Sequence, residues 1–155
     1  PELATYGDHL YLARMLGNIV ENALKYSGPD GTCVRLALSP YAGDNGIPWA
    51  RLTVSDDGQG IAAEHLPHIF DRFYRAESSR THSIAPDGAG GADDPGERAG
   101  SGLGLAIARW IAQAHGGDLT IRSEVGAGTV CAVSLPLASA SGVLGASGDQ
   151  LYSDA

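Results

Sequence analysis

With 155 residues, the chain is long enough to bury one core and too short for two ordinary domains. Ten basic residues against 18 acidic ones leave a formal charge of -8, which repels nucleic acid and anionic membrane surfaces, so an anionic ligand must be held locally. A hydrophobic share of 43% suits a soluble globular chain, no apolar run approaches the roughly 20 residues of a spanning helix, and a start at Pro1 without a basic-then-apolar leader reads as an excised fragment.

From Asp8 to Ser27 the apolar residues Leu12, Met15, Leu16, Ile19, Val20, Ala23 and Leu24 recur at helical spacing, and Gly28-Pro29 ends the pattern. Thr32 to Ser39 and Trp49 to Ser55 are β-rich runs across a Pro/Gly/Asn loop and read as consecutive strands, antiparallel by their spacing. A turn at Asp56-Asp57-Gly58-Gln59-Gly60 precedes a short helix predicted over Ala62 to Ile69. Residues 76–99 lose all periodicity in favour of Gly, Asp, Ser and Pro, and so long a loop in a compact domain points to a functional lid. Leu103 to His115 is amphipathic and closed by Gly116-Gly117, and Leu119 to Glu124 with Gly128 to Leu135 complete a final strand pair. The order predicts an α+β fold: a two-layer α/β sandwich, its sheet mixed but mostly antiparallel, with helices on one face. Residues 1–137 form the domain in this reading, and 138–155 a disordered tail. Cys33 and Cys131 each fall in a β-like run without metal-type spacing, so buried free thiols in a reducing cytosol are expected, with a cross-strand disulfide as the alternative.

Four blocks carry chemistry. On the first helix Tyr11, Arg14, Asn18, Glu21, Asn22 and Lys25 share one stripe. A solvated face would explain the charges. It explains the asparagines less well, because Asn costs roughly half a kcal/mol against Ala inside a helix. An amide oxygen is a neutral hard ligand suited to Mg²⁺, Lys25 supplies a point charge for phosphate, and Tyr26 supplies a ring for a flat base or, equally, for the core.

Asp56 with Gly58, Gly60 and Ile61 is a common turn in isolation. Functionally it offers a carboxylate for the exocyclic amine of adenine beside glycines that permit close approach; guanine presents an oxygen there. The run Gly100-Ser101-Gly102-Leu103-Gly104-Leu105 opens a helix, where free backbone N–H groups attract anions. No Gly-Lys-Ser/Thr follows, which excludes a Walker loop, and the preceding loop disfavours a dinucleotide fingerprint. Between the two clusters, Phe70 and Phe73 are aromatics that can anchor the lid base, and Arg72 and Arg75 can reach phosphate.

In order, these blocks resemble the N box, first glycine box, F box and second glycine box of the catalytic ATP-binding domain of bacterial sensor histidine kinases, within the superfamily shared with gyrase, chaperone and mismatch-repair ATPases. The likeness spans Leu12 to Leu135, with family-like wording in Asn-Ala-Leu-Lys-Tyr-Ser and Gly-Leu-Gly-Leu-Ala-Ile. It implies that Asn18 and Asn22 lie at the Mg-phosphate site, with Asn22 the direct metal ligand, and that Lys25 and Arg75 bind phosphate oxygens. It implies that Asp56 holds the adenine amine, that Tyr26 and Ile61 pack near the base, and that Gly128-Thr129 lies near adenine. Gly100, Gly102 and Gly104, with Leu103 and Leu105 between and after them, would bring backbone to the phosphates.

The implied reaction is transfer of the γ-phosphoryl group of Mg-ATP to a histidine on a separate dimerisation domain, then to a response regulator, at the cytosolic end of a sensor. None of His9, His65, His68, His82 and His115 has the sequence context of the family's acceptor, so the acceptor lies outside these residues. Two rivals remain. Anti-sigma-factor serine kinases share the fold but resemble the ATPases in using glutamate where this chain has Asn18, and they lack the Phe70 and Phe73 pair. A non-catalytic nucleotide-binding scaffold would not need Asn22, Lys25, Asp56 and both glycine blocks intact.

Overall fold

In the structure, a computed structural model, residues 3–27, 33–43, 46–76 and 101–138 are described. Residues 77–99 of the predicted lid, the tail after 138, Gly28-Pro29 and Gly100 therefore lie outside the described residues.

Helix α1 spans His9–Tyr26. Its start is fixed by Asp8, whose carboxylate accepts from the N–H groups of Leu10 at 2.8 Å and Tyr11 at 3.3 Å. Such a cap contributes about 1 kcal/mol. Its end is closed by Ser27, a buried side chain whose Oγ donates to the carbonyl of Leu24 at 2.9 Å. Met15, Ile19 and Ala23, one turn apart, form the buried edge of the helix. Helix α2, Gly104–Ala114, turns Ala108, Ile111 and Ala112 inward, all fully buried. Two alanines on that face let α2 lie close against α1.

Strands β1 (Arg35–Ala42), β2 (Pro48–Asp56), β3 (Asp118–Glu124) and β4 (Gly128–Pro136) form one sheet in the order β1-β2-β4-β3, and its three pairings are antiparallel. Val54, Leu119, Cys131 and Val133 point from it into the layer beneath the helices. Full burial of side chains such as Ile19, Ile111, Leu119, Val54 and Val133 stabilises by roughly 1.5–3 kcal/mol each, and these five tie both helices to three strands.

Three local expectations change. The short helix over Ala62 to Ile69 is a single 3-10 turn, Leu66–His68. A longer α-helix there would need the N–H that Pro67 lacks. β1 begins at Arg35 and runs through Pro40, a residue an edge strand tolerates because one of its sides pairs with no strand among the described residues. Cys33 consequently precedes the strand and is exposed rather than buried; its backbone N–H donates to Asp57 Oδ1 at 2.9 Å. Cys131 is buried as expected, and both thiols are free.

Candidate nucleotide site

The stripe on α1 divides by burial. Arg14, Glu21 and Lys25 are exposed, whereas Asn18 and Asn22 are half-buried. Asn18 Nδ2 is buried and has no hydrogen-bond partner among the described residues. Leaving such a group unpaired costs about 1–3 kcal/mol, which a solvated helix face would not incur. The amide faces the first residue of α2: a Cβ placed on Gly104 would stand 3.8 Å from Asn18 Cβ and 3.9 Å from its Oδ1. No side chain caps the start of α2, where Leu103 occupies the N-cap. An unsatisfied amide thus adjoins a run of uncapped N–H groups, an arrangement suited to an oxyanion.

One turn further along α1 is Asn22, and one turn beyond that Tyr26, about 12 Å from Asn18 along the axis. Here the loop after β2 meets the helix. Gln59 N–H donates to the Tyr26 carbonyl at 3.4 Å, and a Cβ on Gly58 would collide with that same carbonyl. Gly60 has φ 71° and lies against the Glu124 carbonyl, so only glycine fits. The closest backbone approaches in this loop are therefore to protein, which seats the loop between α1 and the β3–β4 turn. Asp56, paired in register with Thr129, accepts from Gly58 N–H through Oδ1 at 3.0 Å; Oδ2 has no partner among the described residues. Burial pushes the neighbouring Cys131 thiol up to about 12, with the charge of Asp56 adding to the effect.

Sequence reasoning missed Ser123. Its Oγ accepts from Ile61 N–H at 2.8 Å, donates to the Gly128 carbonyl at 2.8 Å and lies 2.9 Å from Thr129 Oγ1. It joins Ile61 to Thr129, two residues that the resemblance implies lie near the base. The signal was available by counting outward from the β3–β4 turn, which makes Ser123 and Thr129 cross-strand partners.

The two phenylalanines separate. Phe70 packs against the core under the Arg109 guanidinium, 4.5 Å from its ring centroid, and Arg109 in turn meets Asp118 at 3.3 Å. Phe73 is 71% exposed with φ 66°, a left-handed conformation rare for a bulky residue, so the aromatic pair does not form one anchor. Its N–H donates to the Gly102 carbonyl at 3.1 Å, and Gly102, itself at φ 70°, lies against the Phe73 backbone. This contact brings the 70–75 segment to the glycine run. Arg72 lines a cavity of about 510 Å³ with Tyr11, Arg14, Phe73, Leu103 and Trp110, a different place from the Asp56 end. Arg75 is exposed, Leu105 packs against the core, and Lys25 Nζ lies 5.2 Å from the Tyr26 ring centroid. His65 and His68 bond to Tyr74 and Asp71.

Two helices on one face of an antiparallel sheet, with an amide-bearing helix leading from an uncapped helix start to a carboxylate, form an arrangement that suits a nucleotide. The chain belongs to the family of histidine kinase-, DNA gyrase B- and HSP90-like ATPases, which it matches over residues 7–139. It is 36% identical over 125 residues to the sensor histidine kinase WalK of Bacillus subtilis, covering 81% of this chain and 18% of that protein. The solved structure of the mycobacterial sensor histidine kinase MprB is similar with a TM-score of 0.60 at 31% identity, over 86% of this chain and 76% of that one. Full-length ShkA, solved in complex with AMPPNP, is similar with a TM-score of 0.62 at 26% identity, over 90% of this chain and 24% of that one. Family membership makes this an ATP-binding domain of the histidine kinase type. The chain spans about a fifth of the length of WalK and about a quarter of that of RppB of Synechocystis. Among the described residues no helix is long and apolar enough to cross a membrane.

Proposed function

We propose that this domain binds Mg-ATP and donates its γ-phosphoryl group to a histidine on a separate dimerisation domain, from which it passes to a response regulator in two-component signalling. The observation that carries the reading is the unpartnered, buried amide of Asn18 set against the uncapped start of α2. A purely structural helix pair would place an apolar residue there, whereas a triphosphate and its water shell supply the missing partner.

Asn22, half-buried one turn along, is the direct Mg²⁺ ligand in this reading, and the residues present fit a cation that takes few protein oxygens. Bound there, the ion would neutralise phosphate charge. The backbone N–H groups from Gly102 through Gly104 and Leu105 cradle phosphate oxygens in this reading; the Gly100 that the resemblance adds lies outside the described residues. Lys25 and Arg75 add positive charge. Both are exposed, and the Lys25 contact with Tyr26 is worth only about 0.5–1 kcal/mol, readily exchanged for a phosphate. Asp56 receives the adenine amine on its free Oδ2, with Tyr26, Ile61 and Thr129 beside the base.

Phosphoryl transfer asks the protein for positioning and charge stabilisation. The attacking imidazole nitrogen of the partner forms the new bond to phosphorus as the bond to the ADP oxygen breaks. Asn18 is neutral and offers no base to activate water, which favours transfer to the partner over hydrolysis. As part of a longer sensor, the domain would work at its cytosolic end. Incubation with γ-labelled ATP and a helical dimerisation domain tests the proposal: acid-labile label on that domain is expected, and acid-stable label would indicate a serine kinase instead.

A further inference from the structure

We propose that Ser123 is a positioning residue that sets the base selectivity of the nucleotide site by fixing the direction of the Thr129 hydroxyl. The inference rests on the reading of Asp56 and Thr129 as the adenine end of the site.

A serine hydroxyl has one proton to give and two lone pairs. Ser123 Oγ has three partners: the Ile61 N–H at 2.8 Å, the Gly128 carbonyl at 2.8 Å and Thr129 Oγ1 at 2.9 Å. The first can only donate and the second can only accept, so the serine proton is committed to Gly128. Thr129 must then donate to Ser123. Its own proton is spent inward, and what it offers any further partner is lone pairs alone.

Asp56 stands opposite Thr129 in the β2–β4 register and is likewise an acceptor when ionised, its Oδ1 already held by Gly58 N–H. Two acceptors side by side suit a base edge that presents an amino group and oppose one that presents a carbonyl oxygen. Ser123 needs no contact with the base to impose this. It also holds Ile61, and so fixes the loop that follows Asp56. In Ser123→Ala the Thr129 hydroxyl is free to turn and donate, which lowers its preference for an amino group and accommodates a carbonyl.

Calorimetry of the chain with Mg-ATP, Mg-GTP and magnesium tripolyphosphate, which lacks a base, provides the test. In Ser123→Ala the ATP affinity should fall about tenfold, with tripolyphosphate affinity unchanged and the ATP-to-GTP ratio reduced by at least that factor. Ser123→Thr, which keeps the hydroxyl, should restore the ratio. Equal losses for all three ligands, or an unaltered ratio, would overturn the proposal. Should Ser123→Ala not melt cooperatively, Thr129→Val carries the test: an ATP-to-GTP ratio undiminished from the wild type there is equally fatal. A wild-type chain that binds ATP and GTP alike would instead overturn the adenine reading on which the proposal stands.

Discussion

Asn18, midway along α1, faces Gly104, the first residue of α2, at ordinary van der Waals distance from where a side chain on that glycine would begin. The contact joins a buried amide to a helix start, neither with a hydrogen-bond partner or side-chain cap among the described residues, and it separates the demands of folding from those of binding.

Asn18→Leu removes the unpaired amide and keeps nearly the same shape. The ligand-free domain should become more stable by about 1–3 kcal/mol, read as a raised midpoint in chemical denaturation, while Mg-ATP affinity falls. A destabilised variant would show that the amide has a partner in the folded domain. Gly104→Ala meets nothing nearer than Asn18, so it should fold normally and still weaken ATP binding by crowding the phosphates.

At the other end of the site, Asp56→Asn should weaken ATP binding by about 1–3 kcal/mol, because the amide replaces an anionic acceptor with a weaker one. Calorimetry reads the change directly. Unaltered affinity would remove Asp56 from the base-reading role.

Gly60→Ala should destabilise the fold by more than about 1 kcal/mol, since the position has φ 71° and its added carbon would strike the Glu124 carbonyl. By contrast, Gly17→Ala on α1 meets no neighbour and should stabilise by about 0.5–1 kcal/mol. Thermal melts of the two variants should move in opposite directions.

The two thiols should behave differently. Exposed Cys33 should react with a thiol reagent in the folded domain, and Cys131 only on unfolding. Burial raises the Cys131 pKa from 9.0 to about 12, so the unfolded chain ionises this thiol before the folded one does. Its contribution to stability is therefore complete below pH 9 and is lost as pH climbs through that window. Cys131→Ala should flatten the alkaline decline in stability.

How much of this was legible in the sequence differs by kind of signal. α1 was readable to within a residue at each end from its apolar spacing and the Gly28-Pro29 stop, and β2, β4 and α2 followed from β-rich and amphipathic runs bounded by glycine, proline or turn residues. The helix over Ala62 to Ile69 failed because its apolar residues outvoted one missing N–H at Pro67. Cys33 looked buried because an apolar run does not reveal where its strand begins, and β1 starts two residues later, at the edge of the sheet. The asparagine stripe was visible, yet its division into half-buried amides and exposed charges depends on where α2 packs. Ser123 was overlooked because, beyond its cross-strand neighbour Thr129, its meaning lies in the Ile61 N–H, which the loop after β2 brings to it only in the folded chain.

A Mg-dependent ATP site running along α1 is tested most directly by titration calorimetry of the chain with ATP, with and without Mg²⁺. Saturable one-to-one binding is predicted at up to millimolar nucleotide, weakened at least about tenfold when Mg²⁺ is chelated or Asn22 is replaced by Ala. No binding at millimolar nucleotide, or binding indifferent to both Mg²⁺ and Asn22, would contradict it.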